Sequence, residues 1–130
     1  LLKPGDPRFV STLDAVIRDL RDGDLVYRYR HEDDFGRPAT SFAICSFWLV
    51  SALVEIGEVS RARHLCERLL SFASPLHLYA EEIEPRTGRH LGNFPQAFTH
   101  LALINAVVHV IRAEEEADST GVFQPANAPM

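Results

Sequence analysis

The sequence predicts an all-α fold of layered type, in which inner helices are wrapped by outer ones. Two observations carry this. Thr40 to Ile56 and Pro95 to Ala113 are apolar on nearly every face, the pattern of a buried helix. The helical segment before each of them is instead amphipathic, so the order is amphipathic, buried, amphipathic, buried. Each member of a simple four-helix bundle exposes one polar face. Two of these segments have no such face, and both of their sides need cover. Part of the covering layer is therefore expected from outside this stretch of chain.

The elements follow in order. Asp6-Pro7 reads as a helix start, a capping carboxylate followed by Pro in the first turn. Phe9, Val10, Leu13, Val16, Ile17 and Leu20 recur at helical spacing, Arg18, Asp19 and Arg21 line the other side, and Asp22-Gly23-Asp24 ends the helix. Leu25 to Arg30 alternates apolar and basic residues and is read as extended, and His31 to Pro38 as a polar turn-rich loop. The second helix, Thr40 to Ile56, stops near Gly57. The third, Ser60 to Phe72, sets Ala62, Leu65, Cys66, Leu69 and Leu70 against Arg61, Arg63, His64, Glu67 and Arg68, a surface helix. The fourth, Pro95 to Ala113, is again apolar, and residues 114–130 are expected to form a disordered acidic tail.

Composition narrows the function. With 130 residues, 46% of them hydrophobic, the chain suffices for one domain with one core. A net charge of -5 argues against a nucleic-acid partner, which calls for clustered positive charge. The two cysteines, Cys45 and Cys66, lie inside apolar helical patterns and read as buried thiols of a reducing, cytoplasmic compartment. No apolar run suits a bilayer, so no membrane partner is expected. Leu1-Leu2 runs directly into Lys3-Pro4-Gly5-Asp6-Pro7, which is no signal peptide. The absence of an initial Met suggests a piece of a longer protein. The six histidines include no HExxH pair, so neither a metal nor another cofactor is expected.

The most informative stretch is Tyr79 to His100, a long segment between two helices that carries the adjacent carboxylates Glu81 and Glu82. Loops of such length inside a compact domain are usually functional or disordered. Leu78, Tyr79, Ile83, Leu91, Phe94 and Phe98 make this one read as ordered. Thr87-Gly88 is read as closing a hairpin-like bend after Glu84-Pro85.

The motifs Phe42-Ala43-Ile44-Cys45-Ser46-Phe47-Trp48-Leu49-Val50, Ala80-Glu81-Glu82-Ile83 and Leu91-Gly92-Asn93-Phe94-Pro95-Gln96-Ala97-Phe98-Thr99-His100 occur here in that order. Together they resemble the C-terminal part of glycoside hydrolase family 15, which holds glucoamylases, glucodextranases and a group of bacterial and archaeal trehalases. Asp33-Asp34-Phe35-Gly36-Arg37-Pro38 resembles the trehalase branch more than the fungal glucoamylases. The resemblance spans roughly Leu13 to Arg112. It implies that residues 1–113 are the C-terminal portion of an (α/α)6 toroid, completed by the remainder of that toroid or by a homo-oligomer partner. It also implies an α-glucoside substrate, most closely trehalose, hydrolysed with inversion by a general acid and a general base. Matched residue by residue, the base falls at Glu81. Glu82 occupies a position often held by Gln; it is the alternative base and is otherwise expected to touch substrate. The family's Arg-Tyr motif, whose guanidinium holds sugar hydroxyls, matches Arg28-Tyr29, with Arg30 as a competitor. The general acid has no counterpart here, so this segment alone is expected to be inactive.

Plainer readings stand beside these. A carboxylate pair in a loop is ordinarily solvated charge. Arg28 is equally a surface cation paired with Asp33 or Asp34. Trp48 reads as core, Asn93 as a helix-start signal, and His100 as a pocket-floor, capping or core hydrogen-bonding residue. The competing functions are hydrolysis of α-glucans of the glucoamylase or glucodextranase type, sugar or partner binding by a degenerate homologue, and a tetratricopeptide-like interaction module. The last fits poorly, because the helix pairs do not recur at a fixed period.

Overall fold

Helix α1, Pro7–Leu20, opens as its sequence dictates: Asp6 Oδ1 accepts the Arg8 backbone N–H at 2.9 Å, and Pro7 needs no donor in the first turn. The chain is described over residues 2–121 by a computed structural model. A short hairpin follows, β1 (Arg21–Asp22) and β2 (Leu25–Val26), turned by Gly23 at φ +60. Strand β3 (Ser41–Phe42) runs directly into helix α2, Ala43–Glu55. Helix α3 spans Val59–Leu70, and the hairpin β4 (Glu82–Ile83) and β5 (His90–Leu91) precedes helix α4, Ala97–Gly121.

Over the described residues the fold is thus helix-rich, with four helices and two small sheets, rather than purely α. The sheets arise where a backbone finds a distant partner. Thr40 to Phe42, read from pattern as the first turn of the second helix, is drawn out as β3 because Ser41 pairs with Ile83 and Phe42 with Glu82. The long segment expected to be irregular is likewise organised by β4 and β5, with Glu82 opposite Leu91 and Ile83 opposite His90. Its bend closes at Gly88, φ +72, as the sequence suggested.

Helix α2 is the centre of the core. It packs chiefly on α4 and α3 and also on β2. Ser46, buried within it, accepts the Val26 N–H at 2.9 Å and so ties the first hairpin to the helix. Its end is set by Gly57, φ +83: the Gly57 N–H reaches Val54 O at 3.0 Å and the Glu58 N–H reaches Leu53 O at 2.9 Å, a Schellman pair. Helix α3 buries Ala62, Leu65, Cys66 and Leu69 and faces solvent with its charges.

Helix α4 runs further than expected. It continues to Gly121, so residues 114–121 are helical rather than an unstructured tail; Glu114, Glu115, Glu116 and Ala117 are good helix formers, and Glu114 pairs with Arg63 of α3 at 3.1 Å. The rest of that expected tail, 122–130, lies outside the described residues. The helix is also not fully covered. Ala102, Ala106 and Val110 are buried against α2, while Phe98, Leu101, Ile104, Val108 and Ile111 form an exposed apolar stripe.

Candidate active site

Glu81 lies at the N-terminal ends of the two apolar helices. Its carbonyl accepts the Ala43 N–H at 3.0 Å, the first amide of α2, and its own N–H donates to Asn93 O at 2.9 Å. Immediately before it, Tyr79 and Ala80 are buried. The start of α4 holds this run. Gln96 N–H donates to Tyr79 O at 2.9 Å, Thr99 Oγ1 to Ala80 O at 3.1 Å, and Tyr79 N–H to His100 Nε2 at 3.2 Å. Because His100 Nε2 accepts, its Nδ1 carries the proton and donates to Gln96 O at 2.6 Å. Of the roles open to His100, the structure selects hydrogen bonding.

Beneath this run, Tyr79 is 1% exposed, meets Phe47 of α2 edge-on at 5.4 Å between ring centroids, and donates its hydroxyl to Leu69 O of α3 at 3.0 Å. Burial pushes its phenol up to about 12. A single aromatic side chain thus joins three helices directly under the carboxylates.

The two carboxylates then diverge. Glu81 is half-buried, and its Oε2 accepts both the Asn93 side-chain amide at 2.9 Å and the Asn93 backbone N–H at 3.2 Å. Glu82, one residue on, belongs to β4, and its Oε2 accepts the Thr40 hydroxyl at 2.8 Å. Asn93 was read from sequence as a helix-start signal. The structure makes it the partner of Glu81, and α4 begins later, at Ala97. Sequence offers no period that would reveal a contact made across a hairpin; the only hint is Gly92 before it, at φ +75.

Arg28 is exposed and lies over the rings of Phe42 at 5.7 Å and Tyr29 at 5.6 Å. Phe42 is the β3 partner of Glu82, and Ala43 follows it, so Arg28, Glu81 and Glu82 all border the junction of β3 with α2. The expected pairing of Arg28 with Asp33 or Asp34 is not made; among the described ion pairs Arg28 has none. Asp33 is engaged elsewhere, accepting the Tyr29 hydroxyl at 2.6 Å and the Phe35 N–H at 2.9 Å. The Tyr29 bond holds the Asp33 carboxyl below the usual carboxylate range and pushes the Tyr29 phenol up. Arg30, the competitor, caps the Tyr27 ring at 4.2 Å instead.

An apolar groove of ≈ 310 Å³ runs between α1 and α2, lined by Phe9, Leu13, Val16, Cys45, Trp48 and Leu49 among others and reaching Arg28. Trp48, expected in the core, is 57% exposed there, because α1 covers only part of that side of α2. Cys45 is half-buried rather than buried; both thiols are free, and burial raises each above the ordinary thiol value. Among the described residues no cluster of His, Cys, Asp or Glu could hold a metal ion, and no helix is long and apolar enough to cross a membrane.

A sequence profile of Glycosyl hydrolases family 15 matches residues 1–108. The chain is 74% identical to a trehalase of Mycolicibacterium smegmatis over 99% of its own length and 20% of that relative's. It is equally 74% identical to a trehalase of Mycobacterium tuberculosis, over 99% of this chain and 19% of that one. A trehalase of Thermoplasma volcanium is 39% identical over 76% of this chain and 16% of its own. The chain thus spans about a fifth of the length of these two mycobacterial relatives. No solved structure matches it.

Proposed function

The chain belongs to glycosyl hydrolases family 15, and from that premise we propose that it is the segment of a trehalose-hydrolysing enzyme that carries the general base. One observation supports this above the others: of two adjacent carboxylates, Glu81 stands at the shared N-terminal end of the two apolar helices with one oxygen held by Asn93. The other oxygen has no hydrogen-bond partner among the described residues, which suits a group that must accept a proton from water. That the relatives at 74% identity are named trehalases supports trehalose rather than an α-glucan as the substrate.

In this reading the Glu81 carboxylate takes a proton from a water molecule as that water attacks the anomeric carbon. A general acid from outside this chain protonates the departing glycosidic oxygen, and the configuration inverts. Arg28, which has no ion pair among the described residues, is available to sugar hydroxyls, and Glu82 lines the same edge. No cofactor takes part. The helices form one arc of an (α/α)6 toroid, whose remaining helices cover the α4 stripe and the groove beside α1. A second copy of the chain is the other occupant to test. The compartment is cytoplasmic. The segment alone has no turnover, since half of the acid–base pair and most of the sugar pocket lie elsewhere.

The test uses the full-length chain with trehalose, maltose and isomaltose. Glu81→Gln is expected to lower kcat on trehalose by roughly 10²–10⁴, with the wild type releasing one β-glucose per trehalose by proton NMR. Near-normal turnover by Glu81→Gln would remove Glu81 from the role, and initial release of α-glucose alone would remove inversion.

A further inference from the structure

The Glu81 side chain is held by one neighbour, Asn93, through both its backbone and its side-chain amide. The backbone of Glu81 is already fixed at both polar groups, by Asn93 O and by the Ala43 N–H. The Asn93 side-chain amide adds nothing to the path of the chain. It reaches across the hairpin at 2.9 Å to Glu81 Oε2, joined by the Asn93 backbone N–H at 3.2 Å. Asn93 is itself exposed, where a hydrogen bond contributes only about 1 kcal/mol or less to stability. Gly92 makes the approach possible. At φ +75 it occupies a conformation that L side chains rarely adopt, and a Cβ there would stand 3.0 Å from Glu81 Oε2 and 3.2 Å from Glu81 Cβ. The glycine removes the one atom that would push the carboxylate away while its successor supplies two donors.

We propose that Gly92 and Asn93 form the seat of the Glu81 carboxylate, and that Asn93 is a positioning residue: it holds Oε2 and thereby leaves Oε1 as the oxygen that meets the attacking water. This rests on Glu81 being the general base. A flexible Glu samples several rotamers, and a proton acceptor displaced by about 1 Å can cost on the order of 10²-fold in rate. Two donors converging on one oxygen remove that freedom without occupying the other oxygen.

The experiment is a cycle in the full-length enzyme with trehalose as substrate. Asn93→Ala is expected to lower kcat about 10- to 100-fold, with KM changed less than about threefold and the melting temperature nearly that of the wild type. Asn93→Asp, close in shape but lacking the amide donor, is expected to lose at least as much. Gly92→Ala, which drives a methyl against Glu81, is expected to match them in kcat. Glu81→Ala is then assayed with sodium azide, a nucleophile that needs no general base. Restored glucose release with formation of β-glucosyl azide supports Glu81 as base. In that background Asn93→Ala should cost nothing further, because it acts only through the missing carboxylate; a residue that merely props the fold would lower the rescued rate as well.

The failures separate. An active Glu81→Ala variant without azide overturns the base assignment and this proposal with it. An inactive, azide-rescued Glu81→Ala beside a near-normal Asn93→Ala or Asn93→Asp overturns the seat alone. So does an Asn93→Ala loss that persists undiminished in the Glu81→Ala background.

Discussion

The end of the molecule that carries Glu81 and the flank formed by α4 both border apolar helices and end in opposite states. At the Glu81 end, Tyr79 and Glu81 have both backbone polar groups bonded, and Tyr79 beneath them touches α2, α3 and α4. Along the flank, Phe98, Leu101, Ile104, Val108 and Ile111 are exposed among the described residues. Buried polar groups are costly when unsatisfied, so a satisfied polar end indicates a region complete within these residues. An open apolar stripe indicates a region that is not. Among the described residues, the Glu81 end thus has its backbone polar groups satisfied, whereas α4 leaves large apolar side chains exposed.

Two phenylalanines test that contrast most strongly. Phe47 of α2 is 1% exposed, and Phe98 of α4 is 67% exposed. Phe47→Ala in this chain is expected to cost roughly 3–5 kcal/mol, from lost burial and the cavity left behind. Phe98→Ala is expected to cost no more than about 0.5 kcal/mol. Urea denaturation followed by circular dichroism compares them. Repeating Phe98→Ala in the full-length protein sharpens the contrast: if the rest of the toroid covers α4, its cost rises to roughly 2 kcal/mol or more. An unchanged cost there would mean that the stripe stays open.

Tyr79 gives the next largest effect, and it is read by pH. Its phenol titrates at about 12 in the folded chain against an ordinary 10.0, so folding favours the neutral form. The associated stability is fully present below pH 10 and is lost as pH rises through 12. By linkage the loss amounts to roughly 2–3 kcal/mol. Denaturation midpoints measured in steps from pH 9 to 12 should fall along that course. Tyr79→Phe should flatten it, at a cost of about 1 kcal/mol for the hydroxyl bond to Leu69 O. An equally steep decline in Tyr79→Phe would assign the alkaline sensitivity elsewhere.

The same contrast explains what could be read from sequence. The helices were legible because their periods are local: Leu13, Val16, Ile17 and Leu20 repeat at helical spacing, and Gly57 stops α2 where it stands. That α2 and α4 lack a polar face was legible too. Which face stays exposed was not, since α4 is apolar both on the side that meets α2 and on the side exposed among the described residues. Trp48 was misplaced for the same reason. The sheet of β3, β4 and β5 was hidden because it joins Ser41 to Ile83, far apart along the chain. The carboxylate pair was visible as a motif. Its environment was not, since Asn93 and Thr40 reach Glu81 and Glu82 only through that sheet.

The smallest predicted effect separates the two carboxylates themselves. Glu82 accepts the Thr40 hydroxyl through Oε2, and a Gln in its place keeps a carbonyl oxygen able to accept the same bond. Glu82→Gln should therefore change stability by no more than about 0.5 kcal/mol. Thr40→Val, which removes the donor, should cost about 1 kcal/mol. In the full-length enzyme, Glu82→Gln should lower kcat on trehalose by less than about tenfold, well short of the loss expected for Glu81→Gln. A substrate-touching role for Glu82 would raise KM instead. The asymmetry follows from where each side chain is tied: Glu82 Oε2 to Thr40 just before β3, and Glu81 Oε2 to Asn93 just after β5. A Glu82→Gln loss as deep as that of Glu81→Gln would transfer the proton-accepting role one residue along the chain and leave the Asn93 contact a matter of loop structure.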